Sequence, residues 1–167
     1  MKLLVVRHAI AEDREVFAET GRDDALRPLT AEGSRKMRRA ARGLRQIVPT
    51  IDDLVASPFT RASETAEIVR REYEIDRVET ADVLRPDTAL DDVVSWLSQR
   101  TGDVVAIVGH EPHLSRLVTY LVSGVDCSGV QLKKGGTCLV SFDAAPRRAG
   151  GCLMWSIPPG ILRDLAG

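Results

Sequence analysis

Residues 3–9 read LLVVRHA: four apolar side chains pass directly into Arg7 and His8. A short apolar run of this kind predicts a strand that is buried on both faces. One interpretation is that the strand simply ends there and its polar residues meet water. The other is that the cation and the imidazole lie where the protein carries out its chemistry. The rest of the chain distinguishes the two.

The segments after this strand alternate between strand-like and helix-like patterns. Strands are predicted at residues 2–7, 53–56, 77–84 and 103–110, and helices at 30–48, 57–73, 90–100 and 110–124. Residues 11–28 are predicted to be an irregular polar stretch, and two late strands, 137–142 and 151–157, to pair as a hairpin. The alternation predicts an α/β fold, a three-layer α/β/α sandwich whose mostly parallel central sheet has helices on both faces.

Composition limits the class of protein. The 167 residues predict a single domain spanning 1–167, and 44% hydrophobic with 28% charged residues is ordinary for a soluble globular protein. A net charge of -1 gives no general attraction to nucleic acid or to a membrane, and we expect neither as a partner. No apolar run is long enough for a signal peptide or a membrane span. Three cysteines without metal-type spacing indicate reduced, buried thiols and a cytoplasmic protein.

Polar clusters follow three of the predicted strands. Arg7 and His8 close the first strand, and His110 closes the fourth. Ser57 follows the second strand as the expected N-cap of the next helix, and Arg61 lies one turn further on. In parallel α/β sheets ligands bind outside the carboxyl ends of the strands, beside helix N-termini that attract anions. We therefore expect these side chains to meet at an anion site.

The residue types at this edge suit phosphoryl transfer. Arg61 lies where the helix dipole disfavours a cation, so it either extends into solvent or faces a bound anion. A neutral imidazole is a competent nucleophile towards phosphorus, and a second imidazole can stabilise transition-state charge. Phosphoryl transfer needs mainly positioning and charge stabilisation. Two histidines and two arginines around one phosphate are therefore sufficient groups for phosphoryl transfer.

Four stretches occur in a fixed order: VVRHA at 5–9, RPLTAEG at 27–33, SPFTRASET at 57–65 and VGHEP at 108–112. Together they resemble the histidine phosphatase superfamily, which has a phosphoglycerate mutase-like fold, and within it the compact SixA-type phosphohistidine phosphatases. The resemblance covers roughly residues 1–119. It implies a metal-independent phosphatase without cofactors that works through a phosphohistidine enzyme intermediate.

The resemblance also implies a role for individual residues. His8 matches the nucleophile, and Arg7, Arg61 and His110 match the groups that hold the phosphate. Arg27, in RPLT, matches an arginine that reaches the same pocket in the SixA-type branch. The family usually has glycine directly after the Arg-His pair, and this chain has Ala9. The added methyl group leaves open how closely the backbone approaches the phosphate.

The general acid is left open between Asp87 and Glu111, each of which is also a plausible helix-start carboxylate. A phosphohistidine substrate would need less acid assistance, because its imidazole leaving group is easily protonated. His110 and His113 raise the possibility of a metal site, but no set of three or four ligands accompanies them. We therefore predict no metal and place His113 on a helix as a partly exposed residue.

The favoured function is a protein phosphohistidine phosphatase acting as a monomer or weak dimer. The alternatives are a phosphatase of small phosphorylated metabolites with the same site, and a catalytically weak phosphate-binding or interaction module. A metallohydrolase and a mutase are disfavoured. One side of the helix after Thr30 is basic and is interpreted as a solvated face or, alternatively, as a docking surface for an acidic partner. Its residues are Arg35, Lys36, Arg38, Arg39, Arg42 and Arg45.

Overall fold

A computed structural model describes all residues, 1–167, and its core is one six-stranded sheet. The strands are β1 Lys2–Arg7, β2 Asp53–Ala56, β3 Glu79–Thr80, β4 Val104–Gly109, β5 Thr137–Phe142 and β6 Gly151–Ile157. They lie in the order β3-β2-β4-β1-β5-β6. The first four strands in this order are parallel, and β5 and β6 are added antiparallel as a hairpin. The predicted α/β fold with a mostly parallel sheet and a late hairpin is confirmed.

Helices cover both faces of this sheet. They are α1 Arg14–Ala18, α2 Ala31–Ile47, α3 Thr60–Tyr73, α4 Leu90–Leu97, α5 His113–Ser123 and α6 Pro159–Leu165. Successive side chains of β1 point to opposite faces, so that Leu4 and Val6 pack with α2, α3 and α6, while Leu3 and Val5 pack with α4 and α5. Because both faces are covered, β1 carries the continuous apolar run of a central parallel strand. None of the helices is long and apolar enough to cross a membrane.

Local signals fix two helix ends as predicted. The Thr30 hydroxyl accepts a hydrogen bond from the Gly33 N–H at 2.8 Å and caps the start of α2. At the other end of the molecule, Gly124 adopts φ 78° directly after α5, the left-handed conformation that glycine supplies at a helix C-terminus. Both helices therefore begin or end where the sequence pattern placed them.

Several element boundaries differ from the prediction. The stretch predicted to be irregular contains α1 and a 3-10 turn at Asp24–Leu26, each capped by an aspartate side chain. The third strand is reduced to two residues, because a 3-10 turn at Asp82–Leu84 takes up the rest of that segment. Helix α6 was not predicted. Helix α3 begins at Thr60 rather than at Ser57, and the Ser57 hydroxyl oxygen lies 2.9 Å from His110 Nε2 and 3.5 Å from the Phe59 nitrogen.

Two expectations about burial are wrong. His113 is only 1% exposed, and its Nε2 donates to the Thr88 carbonyl, in the segment before α4, at 3.0 Å. The cysteines were expected to be buried, but only Cys138 is, whereas Cys127 and Cys152 are exposed. Cys127 follows α5 in a loop, and Cys152 lies on the edge strand β6.

Candidate active site

The carboxyl ends of β1, β2 and β4 meet at one edge of the sheet, where they open into a cavity of about 330 Å³. Six of the predicted site residues line it: Arg7, His8, Arg27, Arg61, His110 and Glu111. The register pairs Arg7 directly with Gly109, so that His8 and His110 follow on neighbouring strands. Their ring centroids lie 5.3 Å apart. Asp87 is exposed and does not line this cavity.

His8 is held in one tautomer by its own backbone. Its Nδ1 lies 2.7 Å from the Ala9 carbonyl oxygen, which can only accept, so Nδ1 carries the proton. Nε2 has no protein partner and is not fully buried, so it opens to the cavity. Burial and, to a smaller extent, the charges of three nearby arginines lower the pKa of His8 to about 3, although the hydrogen bond to Ala9 opposes the shift. The neutral ring therefore presents an unprotonated nitrogen to any group in the cavity.

Two buried arginines share one carboxylate on the opposite wall. Arg27 donates from Nε to Asp24 Oδ1 at 2.8 Å, and Arg61 Nη2 lies 3.1 Å from Asp24 Oδ2. Arg61 also donates to the Asp24 carbonyl at 2.8 Å, and Arg27 donates to the Glu12 carbonyl at 2.7 Å. Burial by itself would raise the pKa of Asp24, but the hydrogen bond from Arg27 and the charge of Arg61 lower it overall. Asp24 thus fixes both guanidinium planes and offsets part of their repulsion.

Asp24 was not predicted as a site residue. It lies in the stretch expected to be irregular, within an Asp-Asp pair that also caps the 3-10 turn. The one available signal was an acidic pair close to Arg27, and acidic pairs are common at helix starts. Only the folded chain brings Asp24 to Arg61, which is 37 residues away in sequence.

Three side-chain nitrogens of residues that line the cavity are fully buried and have no hydrogen-bond partner: Arg7 Nε, Arg61 Nε and His110 Nδ1. Arg7 uses another nitrogen, Nη1, to donate to the Leu132 carbonyl at 2.6 Å, which fixes its position. The charges of Arg7, Arg27 and Arg61, which all line the cavity, make this wall suited to an anion with several acceptor oxygens.

His110 is held between a hydroxyl and an aromatic ring. Its Nε2 lies 2.9 Å from Ser57 Oγ, and the Phe59 ring centroid lies 4.9 Å from that of the imidazole. Burial lowers the pKa of His110 to about 3, with the nearby His8 as the next cause. Ser57 was predicted as a helix cap, but its hydrogen bond to the imidazole makes it a positioning residue for His110.

The methyl group of Ala9 lies in the larger apolar core and not in the wall of the His8 cavity. Ala9 is only 3% exposed, and its N–H donates to Thr65 Oγ1 at 3.0 Å. The departure from glycine at this position is therefore directed away from the anion site.

Of the two candidate acids, Glu111 alone reaches the cavity. It is half-buried, its Oε1 has no hydrogen-bond partner, and burial raises its pKa despite opposing effects from Ser115 and the positive charge of Arg7. A carboxyl group with a raised pKa holds its proton closer to neutral pH, as a general acid must. No three His, Cys, Asp or Glu side chains are grouped so as to hold a metal ion.

The buried histidines make the stability of the fold depend on pH. The pKa of both His8 and His110 falls from 6.5 to about 3 on folding, so between these values the unfolded chain binds more protons than the folded one. Their contribution to stability is fully present above pH 6.5 and is lost as the pH falls towards 3. We expect each histidine to add up to about 1.4 kcal/mol per pH unit to the slope of the unfolding free energy.

Urea unfolding between pH 7 and pH 5 in phosphate-free buffer measures this slope. The His8→Asn variant should give a shallower slope than the parent protein, because the group at position 8 no longer titrates. Equal slopes in the two proteins would contradict burial of a neutral His8.

Residues 3–86 match the sequence profile of the histidine phosphatase superfamily, branch 1. The chain belongs to this superfamily. An uncharacterized protein of Picosynechococcus is 31% identical over 139 residues, which cover 81% of this chain and 82% of the relative. The superfamily and its structural relatives identify the chain as a phosphatase, a hydrolase of the SixA-like type.

Solved structures of this phosphatase family have the same fold. The protein histidine phosphatase SixA, solved in complex with tungstate, superimposes with a TM-score of 0.83 at 25% identity and covers 97% of this chain and 99% of its own. The alpha-ribazole phosphatase of Shigella flexneri superimposes with a TM-score of 0.74 at 16% identity, covering 95% and 97%. At 16% identity the second match shows only that the two proteins share a fold.

Proposed function

We propose that this phosphatase removes the phosphoryl group from phosphohistidine on a protein, with His8 as the nucleophile. The observation that carries the proposal is the orientation of His8: Nδ1 donates to the Ala9 carbonyl, so the lone pair of Nε2 is directed into a cavity walled by arginines. A neutral imidazole fixed in this way is ready for in-line attack without prior deprotonation.

In the proposed mechanism the anion site holds the phosphoryl oxygens. Arg7, Arg27 and Arg61 supply positive charge, and His110 supplies a ring nitrogen. The Nε2 lone pair of His8 forms a bond to phosphorus while the bond from phosphorus to the leaving nitrogen breaks. The leaving imidazole then takes up a proton, from water or from Glu111. A water molecule attacks the phosphorus of phospho-His8 and releases inorganic phosphate and free His8.

One observation supports a phosphohistidine substrate over an alkyl phosphate, and a second supports the binding of a phosphoryl group in general. The likeness to SixA, a protein histidine phosphatase, extends over almost the whole chain. Tungstate, with which that protein was solved, is a tetrahedral oxyanion like phosphate, and the arginine-walled cavity here suits such a group. A small phosphorylated metabolite is the second candidate, and Glu111 favours it, because an alkoxide leaving group needs a positioned acid.

Glu111→Gln distinguishes these two substrate classes. If Glu111 protonates alkoxide leaving groups, the variant should lose about 10²-fold in kcat on an alkyl phosphate. On a phosphohistidine peptide its kcat should stay within about threefold, since water readily protonates imidazole. The measurement is release of inorganic phosphate from both substrates at pH 7.

Asp87→Asn is the matched control, because it removes a carboxylate that is exposed and outside the cavity. It should leave both activities unchanged. The phosphohistidine proposal fails if the parent protein hydrolyses the alkyl phosphate far more efficiently than the phosphohistidine peptide.

A further inference from the structure

A second cavity, of about 400 Å³, lies beside the His8 cavity between α2, α6 and the turn that precedes β5. The two cavities share Arg7 and Lys134 in their walls. Further basic side chains in the second cavity come from Lys36, Lys133 and Arg163, and no carboxylate lines it. We call this cavity, with its five cations, the basic groove.

The charge of the basic groove is unbalanced within a chain that is balanced as a whole. The protein has 23 Lys and Arg against 24 Asp and Glu, yet this groove has only cations. Lys133, Lys134 and Arg163 form no ion pair, and Lys36 is paired only with the exposed Glu32. Exposed pairs of that kind contribute little and exchange readily for another carboxylate. The positive side chains of the groove repel one another, and an anionic partner would relieve this repulsion.

The turn that carries the two lysines is fixed to the catalytic strand. The Gly135 N–H lies 3.1 Å from the carbonyl oxygens of both Arg7 and His8, and the Arg7 N–H donates to the Gly136 carbonyl at 3.0 Å. Gly135 has φ 77°, a left-handed conformation that favours glycine. Lys133 and Lys134 are therefore held next to the group that attacks phosphorus and are not carried on a free loop.

The floor of the basic groove is apolar, with Ile10, Met37, Ala40 and Pro159 between the cations. A free inorganic anion makes no use of such a floor, whereas a protein segment can place an aliphatic side chain there. Of the basic side chains on α2 that were interpreted as a solvated or docking face, only Lys36 lines this groove. The remainder of that face lies outside the groove, and its residues Arg35 and Arg39 are exposed.

We infer that the basic groove binds an acidic segment of the substrate protein next to its phosphorylated residue. This inference rests on the proposed function, since it concerns where the part of the phosphoprotein substrate outside the His8 cavity binds. Carboxylates of the segment would pair with Lys133, Lys134 and Arg163 while the phosphoryl group enters beside Arg7. The groove would thus select among phosphoproteins by charge.

The test uses two phosphohistidine peptides of equal length, one with four Asp or Glu around the phosphohistidine and one with Gln at those positions. For the parent protein we expect kcat/KM to be about 10- to 100-fold higher for the acidic peptide, mostly through KM, and the preference to shrink with added salt. In the double variant Lys133→Glu/Arg163→Glu the preference should fall to within about threefold. Neither residue lines the His8 cavity, so turnover of an aryl phosphate should stay within about twofold.

Arg35→Glu/Arg39→Glu is the matched control, because it changes the net charge equally on the solvent side of α2. It should keep the preference for the acidic peptide. If the reversed-charge variant does not fold, Lys133→Gln/Arg163→Gln tests the same loss with a smaller perturbation.

Equal turnover of both peptides by the parent protein would overturn the inference and leave the proposed function standing. Turnover of the aryl phosphate but of neither peptide would overturn both. A groove variant that keeps the peptide preference but loses binding of a soluble bisphosphate would assign the groove to a small anion and overturn the inference as well.

Discussion

His8→Asn is expected to lower kcat by roughly 10⁴- to 10⁶-fold on any substrate, the range seen when a nucleophile is removed. Asparagine is chosen because its amide nitrogen can take the place of Nδ1 and keep the hydrogen bond to the Ala9 carbonyl. The arginine wall and the local backbone are then preserved, and the variant loses only Nε2. Phosphate should still bind, because the arginines that line the cavity are untouched.

Intact-protein mass spectrometry after rapid quenching without acid, with an aryl phosphate as substrate, checks this prediction directly. The parent protein should show a transient gain of one phosphoryl group that peptide mapping assigns to His8. The His8→Asn variant should show none.

His113→Gln is the control for this experiment. It replaces a buried histidine outside the cavity, and the glutamine amide can still donate to the Thr88 carbonyl. The control should form the adduct at the parent rate. An adduct that persists in His8→Asn would contradict the assignment of the nucleophile. Phosphate binding without adduct or turnover in the parent protein would favour the binding-module alternative.

Arg61→Gln is expected to lower kcat/KM by about 10²- to 10³-fold, the usual cost of removing one preorganised group that stabilises transition-state charge. Arg61 is 3% exposed and is oriented by two contacts to Asp24, so its charge acts in a site where water screens poorly. Arg61→Lys should recover only part of the loss. A lysine restores the charge but not the planar fork that holds both Asp24 and an anion.

Steady-state kinetics on an aryl phosphate and titration with inorganic phosphate measure this effect. Arg39→Gln is the control, since it removes an exposed arginine of α2 that lies outside the cavity. Urea unfolding of each variant separates a loss of catalysis from a loss of structure. A kcat/KM within about threefold of the parent in a folded Arg61→Gln variant would contradict a role for Arg61 in holding the phosphoryl group.

Much of the fold could be predicted because its signals are local. The apolar runs of β1 and β4, the threonine cap of α2 and the glycine after α5 each depend on neighbours within a few residues. The order of strands and helices then restricts the topology to a parallel sheet with crossover helices. The predicted start of α3 at Ser57 was wrong, and the Ser57 hydroxyl contacts a histidine 53 residues away.

The sequence by itself determined which groups stand at the carboxyl edge of the sheet. Arg7, His8 and His110 end their strands, and parallel strands bring such ends to one edge without any further information. Arg61 lies in the first turn of α3, directly after β2, and its place at the same edge can be predicted in the same way. The types of side chain that wall the cavity, and hence the class of reaction, were therefore readable from local pattern and order.

Only the tertiary structure decided how these groups are held and what adjoins them. The bridge from Asp24 to Arg61, the position of Glu111 in the cavity wall, and the lysine turn beside Arg7 all join segments far apart in the sequence. Such contacts depend on the paths of loops through space, and local periodicity carries no information about those paths. The types of side chain in the site thus follow from the residues at the strand ends. Their orientation follows from contacts between distant segments that form only when the chain folds.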